Sequence, residues 1–272
     1  MAANGTSVKS YGSVRAIGYD QDSLVNKGDR EMQRNTLADV LKFLHHPPST
    51  PHNPSTPHDP STFHDTSTPH NPSTFLDLGC GTGFFSAVFY DLFPHIKGTL
   101  LDGSPDMLEM AKRRFHGKPV SVNYKVRLFQ EIGDEDFPRP CDLVFSSLAI
   151  HHLEDDHKWR LFRQIYENMA PGGIFILYDL FRLEDERSNA ILEYLACRDI
   201  QRRIMADLET DVILDELAMD RIIENDRHLR REEGDKEAKL QSIVDKLRQV
   251  GFRSVTTFLQ EARFAGTICF KI

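Results

Sequence analysis

The sequence predicts an open α/β sheet with helices on both faces, closed by an antiparallel hairpin and carrying a helical cap. Three observations carry this. A short apolar run, Thr74 to Leu78, enters a turn with glycines at 79, 81 and 83 and leaves it as an amphipathic run, Phe84 to Phe93. Strand-like and helix-like stretches then alternate as far as Leu180, the pattern of a doubly wound sheet. Two last β-like stretches, Arg253–Glu261 and Arg263–Ile272, are joined by a short turn. Five strand–helix units and this hairpin make a seven-stranded sheet.

A chain of 272 residues accommodates one large α/β domain with additions. Lys and Arg number 33 against 41 Asp and Glu, a net charge of −8. That balance argues against a broad grip on nucleic acid and leaves a local basic patch open. Four cysteines, at 80, 141, 197 and 269, include no C-x-x-C pair. A reducing compartment is expected, with no disulfide or zinc framework. No apolar run reaches about 18 residues, so neither signal peptide nor membrane span is expected, and the cytoplasm is the default.

Residues 1–27 are polar and glycine-punctuated, an arm with Tyr11, Ile17, Tyr19 and Leu24 as anchors. Met32, Leu37, Val40, Leu41 and Leu44 follow helical spacing, so residues 1–45 are read as arm and helix. From His46 a six-residue unit repeats five times, starting at His46, His52, His58, His64 and His70. Proline this dense fits neither helix nor central strand, so residues 46–73 are expected to be a disordered or polyproline-II-like insertion. Histidines six apart in polyproline II share a face but lie roughly 18 to 19 Å apart, too far for one ion to bridge. No metal site is expected. Thr-Pro pairs at Thr50, Thr56 and Thr68 suit a proline-directed kinase.

The glycine turn decides the cofactor class. Glycine serves where the backbone takes positive φ or lies against a ligand, and the helix beyond presents unpaired N–H groups. Dinucleotide sites space their glycines G-x-G-x-x-G. Here the third glycine comes one residue early and Asp77 sits two positions before the first. The pattern D-x-G-x-G-x-G resembles motif I of the class I S-adenosylmethionine (SAM) methyltransferases. The resemblance implies a Rossmann-like core over residues 74–180, with Asp77, Gly79, Cys80, Gly81 and Gly83 around the methionine part of SAM.

His95 to Asp102 reads as the second strand, ending in an acid about twenty residues past the turn, where a carboxylate accepts both ribose hydroxyls. Ser104 caps the next helix and Pro105 opens it. The phrase Leu101 to Lys112 resembles the family's second motif, which implies Asp102 and Gly103 at the ribose and Met107 on the adenine. Pro119 to Phe129 is the third strand. Gln130-Glu131-Ile132 aligns with the family's acid near the adenine amino group, with Glu131 in place of the usual Asp. Cys141 to Leu153 is a fourth strand running into a loop, with Ser146 expected at the cofactor. His151 and His152 at its edge suit either a base or a loop-structuring pair. Trp159 to Met169 is helical, and Ile174 to Leu180 is the fifth strand, bearing Asp179. These three, His151, His152 and Asp179, are the catalytic candidates. The resemblance also offers Tyr19-Asp20 as a lid over SAM.

Residues 181–250 are charged and helical in pattern and are read as a substrate-selecting cap. Its arginines, at 198, 202, 203, 227, 230 and 231, are either functional or a solvated surface. Residues 251–272 complete the core. The leading expectation is in-line methyl transfer to a small molecule or tRNA nucleoside. The cap and the Ser147 to Leu153 phrase are also similar to carboxy-SAM synthase and tRNA cmo5U methyltransferase. The former needs a cation for its carboxylate donor, which Arg198 or Arg202 could supply. A third expectation is a non-catalytic SAM-binding interaction protein acting through the repeat; a nicotinamide dehydrogenase is disfavoured by the glycine spacing. No membrane partner is expected, and the oligomeric state is open, a homodimer being one option.

Overall fold

The computed structural model describes residues 20, 29–45, 71–207 and 216–272. The arm around Asp20 and the repeat as far as His70 lie outside the described residues. Helix α1 (Arg30–His45) precedes the sheet. Then come β1 (Thr74–Leu78), α2 (Ser86–Leu92), β2 (Lys97–Asp102), α3 (Pro105–Phe115) and β3 (Ser121–Val126). They are followed by β4 (Leu143–Ser147), α4 (Asp155–Asn168) and β5 (Ile174–Leu180). Helices α5 (Glu186–Asp207), α6 (Glu216–Glu233) and α7 (Leu240–Val250) lead to β6 (Arg253–Glu261) and β7 (Phe264–Phe270).

The seven strands lie in the order β3-β2-β1-β4-β5-β7-β6. Strands β1 to β5 run parallel, and β7 enters antiparallel between β5 and β6. These are the seven strands and the terminal hairpin that the sequence predicts. Strand alternation splits the core in two. Phe75, Ile174, Ile176 and Tyr178 pack toward α1, α2 and α3. Leu76, Leu78, Phe175 and Leu177 pack toward α4 and α7. Helix α7 falls within the stretch read as cap, yet Ile243, Val244 and Leu247 pack into the sheet's core. Helices α5 and α6 pack on each other.

The chain goes outward from β1 to β2 and β3, then returns to β4 on the other side of β1. The loops after β1 and β4 therefore diverge, which opens a crevice at the carboxyl ends of these strands. Motif I and the His151-His152 loop both lie at that end.

Candidate functional site

A cavity of about 320 Å³ lies over the crevice, within the size range of small-molecule sites. Its floor is the turn after β1. Gly79 and Cys80 donate backbone N–H groups to the Leu101 carbonyl at 2.8 and 3.0 Å, tying the turn to the end of β2. Gly79 has φ +72°, and a Cβ there would lie 2.4 Å from the Ala149 Cβ. Glycine is required at this position on both counts. Gly83 does not line the cavity: a Cβ there would meet the Phe115 ring at 2.8 Å, so its role is to let α3 approach.

Asp102 stands opposite. Its Oδ2 accepts the Gly81 N–H at 2.8 Å and its Oδ1 accepts the Ser104 N–H at 2.8 Å. Both oxygens are thereby oriented, and each keeps lone-pair capacity for a ligand hydroxyl. Burial raises its pKa, and the two N–H bonds pull it partly back. Ser104 Oγ accepts the Met107 N–H at 3.3 Å as the helix cap, which sets Met107 on the cavity wall.

Asp77 is buried beneath the turn and accepts the Ser86 hydroxyl. Burial pushes its pKa up to about 7, opposed by the Ser86 bond and assisted by the charge of Asp102. A buried carboxylate with a single side-chain donor among the described residues is suited to a cationic ligand group.

Of the residues expected at a cofactor, Asp77, Gly79, Cys80, Gly81, Asp102, Gly103 and Met107 line this one cavity. Glu131, Ile132 and Ser146 do not. Glu131 Oε2 accepts the Leu128 N–H at 3.2 Å and closes its own turn. Ile132 is buried in the core, and Ser146 donates to the Leu78 carbonyl at 2.7 Å between strands. Phe129 and Gln130 hold the wall where Glu131 was expected. Tyr19 lies outside the described residues. Its neighbour Asp20 accepts the Thr82 hydroxyl at 2.6 Å and pairs with Arg114, so the arm meets the glycine turn at this point.

The three catalytic candidates separate. His152 lines the cavity. His151 and Asp179 are buried behind it. The Asp179 carboxylate holds His151 Nδ1 and also accepts the His151 backbone N–H at 2.9 Å. Burial lowers the pKa of His151, but Asp179 and Asp235 outweigh it and raise it to about 10. The arginines at 198 and 202 do not reach the cavity, whereas Arg30, Arg127 and Lys236 do. Arg30 lies 4.8 Å from both the Phe84 and Phe85 ring centroids. Leu148, at φ +51°, also lines the cavity just beyond β4. Sequence reasoning missed Arg30, Leu148 and Lys236. The first and last come from segments far from motif I, and only a strained φ marks Leu148.

Residues 76–175 match the family model described as a methyltransferase domain. The chain is 36% identical over 98 residues to a malonyl-[acyl-carrier protein] O-methyltransferase of Ilyobacter polytropus, covering 36% of this chain and 34% of that protein. It is 23% identical over 199 residues to a carboxy-SAM synthase of Chromohalobacter salexigens, covering 72% of this chain and 67% of that one. An O-methyltransferase family protein of Burkholderia thailandensis shares the fold at TM-score 0.59 and 13% identity, over 96% of this chain and 60% of its own. The chain spans about a third of the length of the first curated relatives it matches. With this sheet and the glycine turn, residues 76–175 form a domain that matches the methyltransferase family model.

Proposed function

We propose that the chain binds SAM in the 320 Å³ cavity and transfers its methyl group to a small molecule or a tRNA nucleoside. The observation that supports this most is Asp102, whose two oxygens are oriented by Gly81 and Ser104 against the glycine turn. In this reading Asp102 accepts the ribose hydroxyls, with Gly103 beside it. Met107 and Phe129 cover the adenine. The turn at Gly79, Cys80 and Gly81 encloses the methionine part, with Asp77 facing its ammonium and Arg30 its carboxylate. Residues 181–207 and 216–239 form the acceptor-selecting cap.

A sulfonium methyl is already activated, so the protein's contribution is alignment and exclusion of water. A base is needed only where the acceptor must lose a proton. His152 is the candidate that faces the cavity; Asp179 and His151 act behind it as positioning groups. Incubation with methyl-labelled SAM and pools of small metabolites or unmodified tRNA tests the reading. Label is expected in one acceptor class. No label in either pool, with SAM bound, would contradict transfer.

Carboxy-SAM synthesis is the second reading, favoured by the length of the match to the Chromohalobacter salexigens protein. Arg198 and Arg202 do not face the cavity, so Arg30 or Lys236 would have to hold the donor carboxylate. Mass spectrometry after incubation with SAM and prephenate separates the two readings, since only this one yields a heavier cofactor.

A further inference from the structure

We infer that His151, His152 and Asp235 form a binding site for one divalent transition-metal ion of the zinc class, at the wall of the cavity. His151 Nε2 and His152 Nδ1 lie 3.4 and 3.3 Å from the same oxygen, Asp235 Oδ1. All three donor atoms lie within 4.8 Å of one another. Metal–ligand bonds of about 2.0 to 2.1 Å in a tetrahedron place neighbouring donor atoms roughly 3.3 Å apart. The two separations to Asp235 match that edge. They are longer than the roughly 2.7 to 2.9 Å of a closed charge-assisted hydrogen bond between an imidazolium and a carboxylate. His151 Nε2 and Asp235 Oδ1 are both buried without an aligned hydrogen bond.

The surroundings are those of a prepared site. The Asp179 carboxylate holds His151 Nδ1, which leaves Nε2 to face Asp235. A carboxylate behind a ligating histidine fixes its tautomer and ring orientation. The loop bearing Asp235 is clasped from several sides. Lys236 donates its backbone N–H to the His151 carbonyl at 2.8 Å, Asp235 donates its own to the Arg230 carbonyl at 3.0 Å, and the Lys158 ammonium donates to the Lys236 carbonyl. Two imidazoles and one carboxylate are a donor set for zinc and its neighbours in the first row rather than for calcium or magnesium. Two buried carboxylates, Asp179 and Asp235, require a positive charge between them. The rival occupant is a proton on His151 Nε2, and metal and proton exclude each other there. His152 lines the cavity, so a fourth position facing inward would take an oxygen ligand.

The site does not depend on methyl transfer. Its test is titration of the full chain with Co2+ and Zn2+. One equivalent of Co2+ is expected to give the visible absorption of a four- or five-coordinate ion, displaced by Zn2+. His152→Ala and Asp235→Asn should weaken binding at least tenfold with the far-UV circular dichroism unchanged. His152 is partly exposed, so its variant serves if Asp235→Asn does not fold. Asp179→Asn should cost about 10- to 100-fold as an orienting residue. Replacing His46, His52, His58, His64 and His70 by Gln should leave the spectrum unchanged. No stoichiometric binding by the folded chain would overturn the site. So would a spectrum lost with the repeat histidines and kept in His152→Ala.

Discussion

Asp102 and Asp77 are both buried carboxylates, but their environments differ. Asp102 is held by two backbone N–H groups, and Asp77 by one hydroxyl. Truncating Asp102 to Ala should therefore leave the turn's N–H of Gly81 without its acceptor and remove the proposed ribose contact together. A loss of at least tenfold in SAM affinity by calorimetry is expected. Asp77, raised to about 7, yields a pH prediction. Its folded pKa lies above the unfolded value, so it holds its proton more tightly when folded. Its ionisation costs stability as the pH rises from about 4 through about 7. Asp77→Asn should thus raise the melting temperature of the ligand-free protein more at pH 8 than at pH 5. The ligand's ammonium favours the ionised form, so SAM affinity should rise from pH 5 to pH 7 in wild type and not in Asp77→Asn. A wild-type profile that is flat over this range would remove Asp77 from the ammonium site. Gly79→Ala should destabilise by about 1 to 3 kcal/mol, read by urea denaturation, because φ +72° and the Ala149 contact both oppose a Cβ.

At the scale of elements, what was legible in the sequence is what local chemistry determines. The β1 run, the glycine turn, Ser104 as cap with Pro105 behind it, and Asp102 at a strand tip are read from spacings of a few residues. Glu131 shows the limit: one residue of phase in a short 3-10 turn sends its side chain to its own backbone and gives the wall to Gln130 and Phe129. Helix α7 shows another. Leu240, Ile243, Val244 and Leu247 mark an amphipathic helix, but the pattern does not say which surface receives it. Asp235 and Lys236 reach His151 and His152 across some eighty residues of sequence, and no local signal carries that pairing. Helix α6 is tied to the β6–β7 turn by charge. Arg263, in the β6–β7 turn, pairs with Asp226 of α6 at 3.0 Å and with Glu237 at 3.2 Å. Arg263→Ala leaves these largely buried carboxylates with less compensation, and a loss of about 3 kcal/mol in urea denaturation is expected.

For the whole molecule, a net charge of −8 disfavours tight, sequence-independent attachment to a polyanion. Filter binding to bulk tRNA should be weak at about 0.15 M salt and fall steeply with further salt. No helix among the described residues is long and apolar enough to cross a membrane. Strand order, the crevice where it reverses and the matched domain converge on one cavity, with seven expected cofactor residues on its wall. The hexapeptide repeat precedes β1 in the sequence, and its deletion should leave SAM affinity unchanged. Partner binding lost on that deletion, without any transfer activity in the intact chain, would favour an interaction protein instead.

The most direct measurement is isothermal calorimetry of SAM and of its demethylated product with the wild-type chain and with Asp102→Ala. One-to-one binding of both by wild type, weakened at least tenfold by the substitution, is the expected result. Absence of heat from either ligand with folded wild-type protein, or equal affinity in the variant, would contradict the placement of the nucleoside against Asp102.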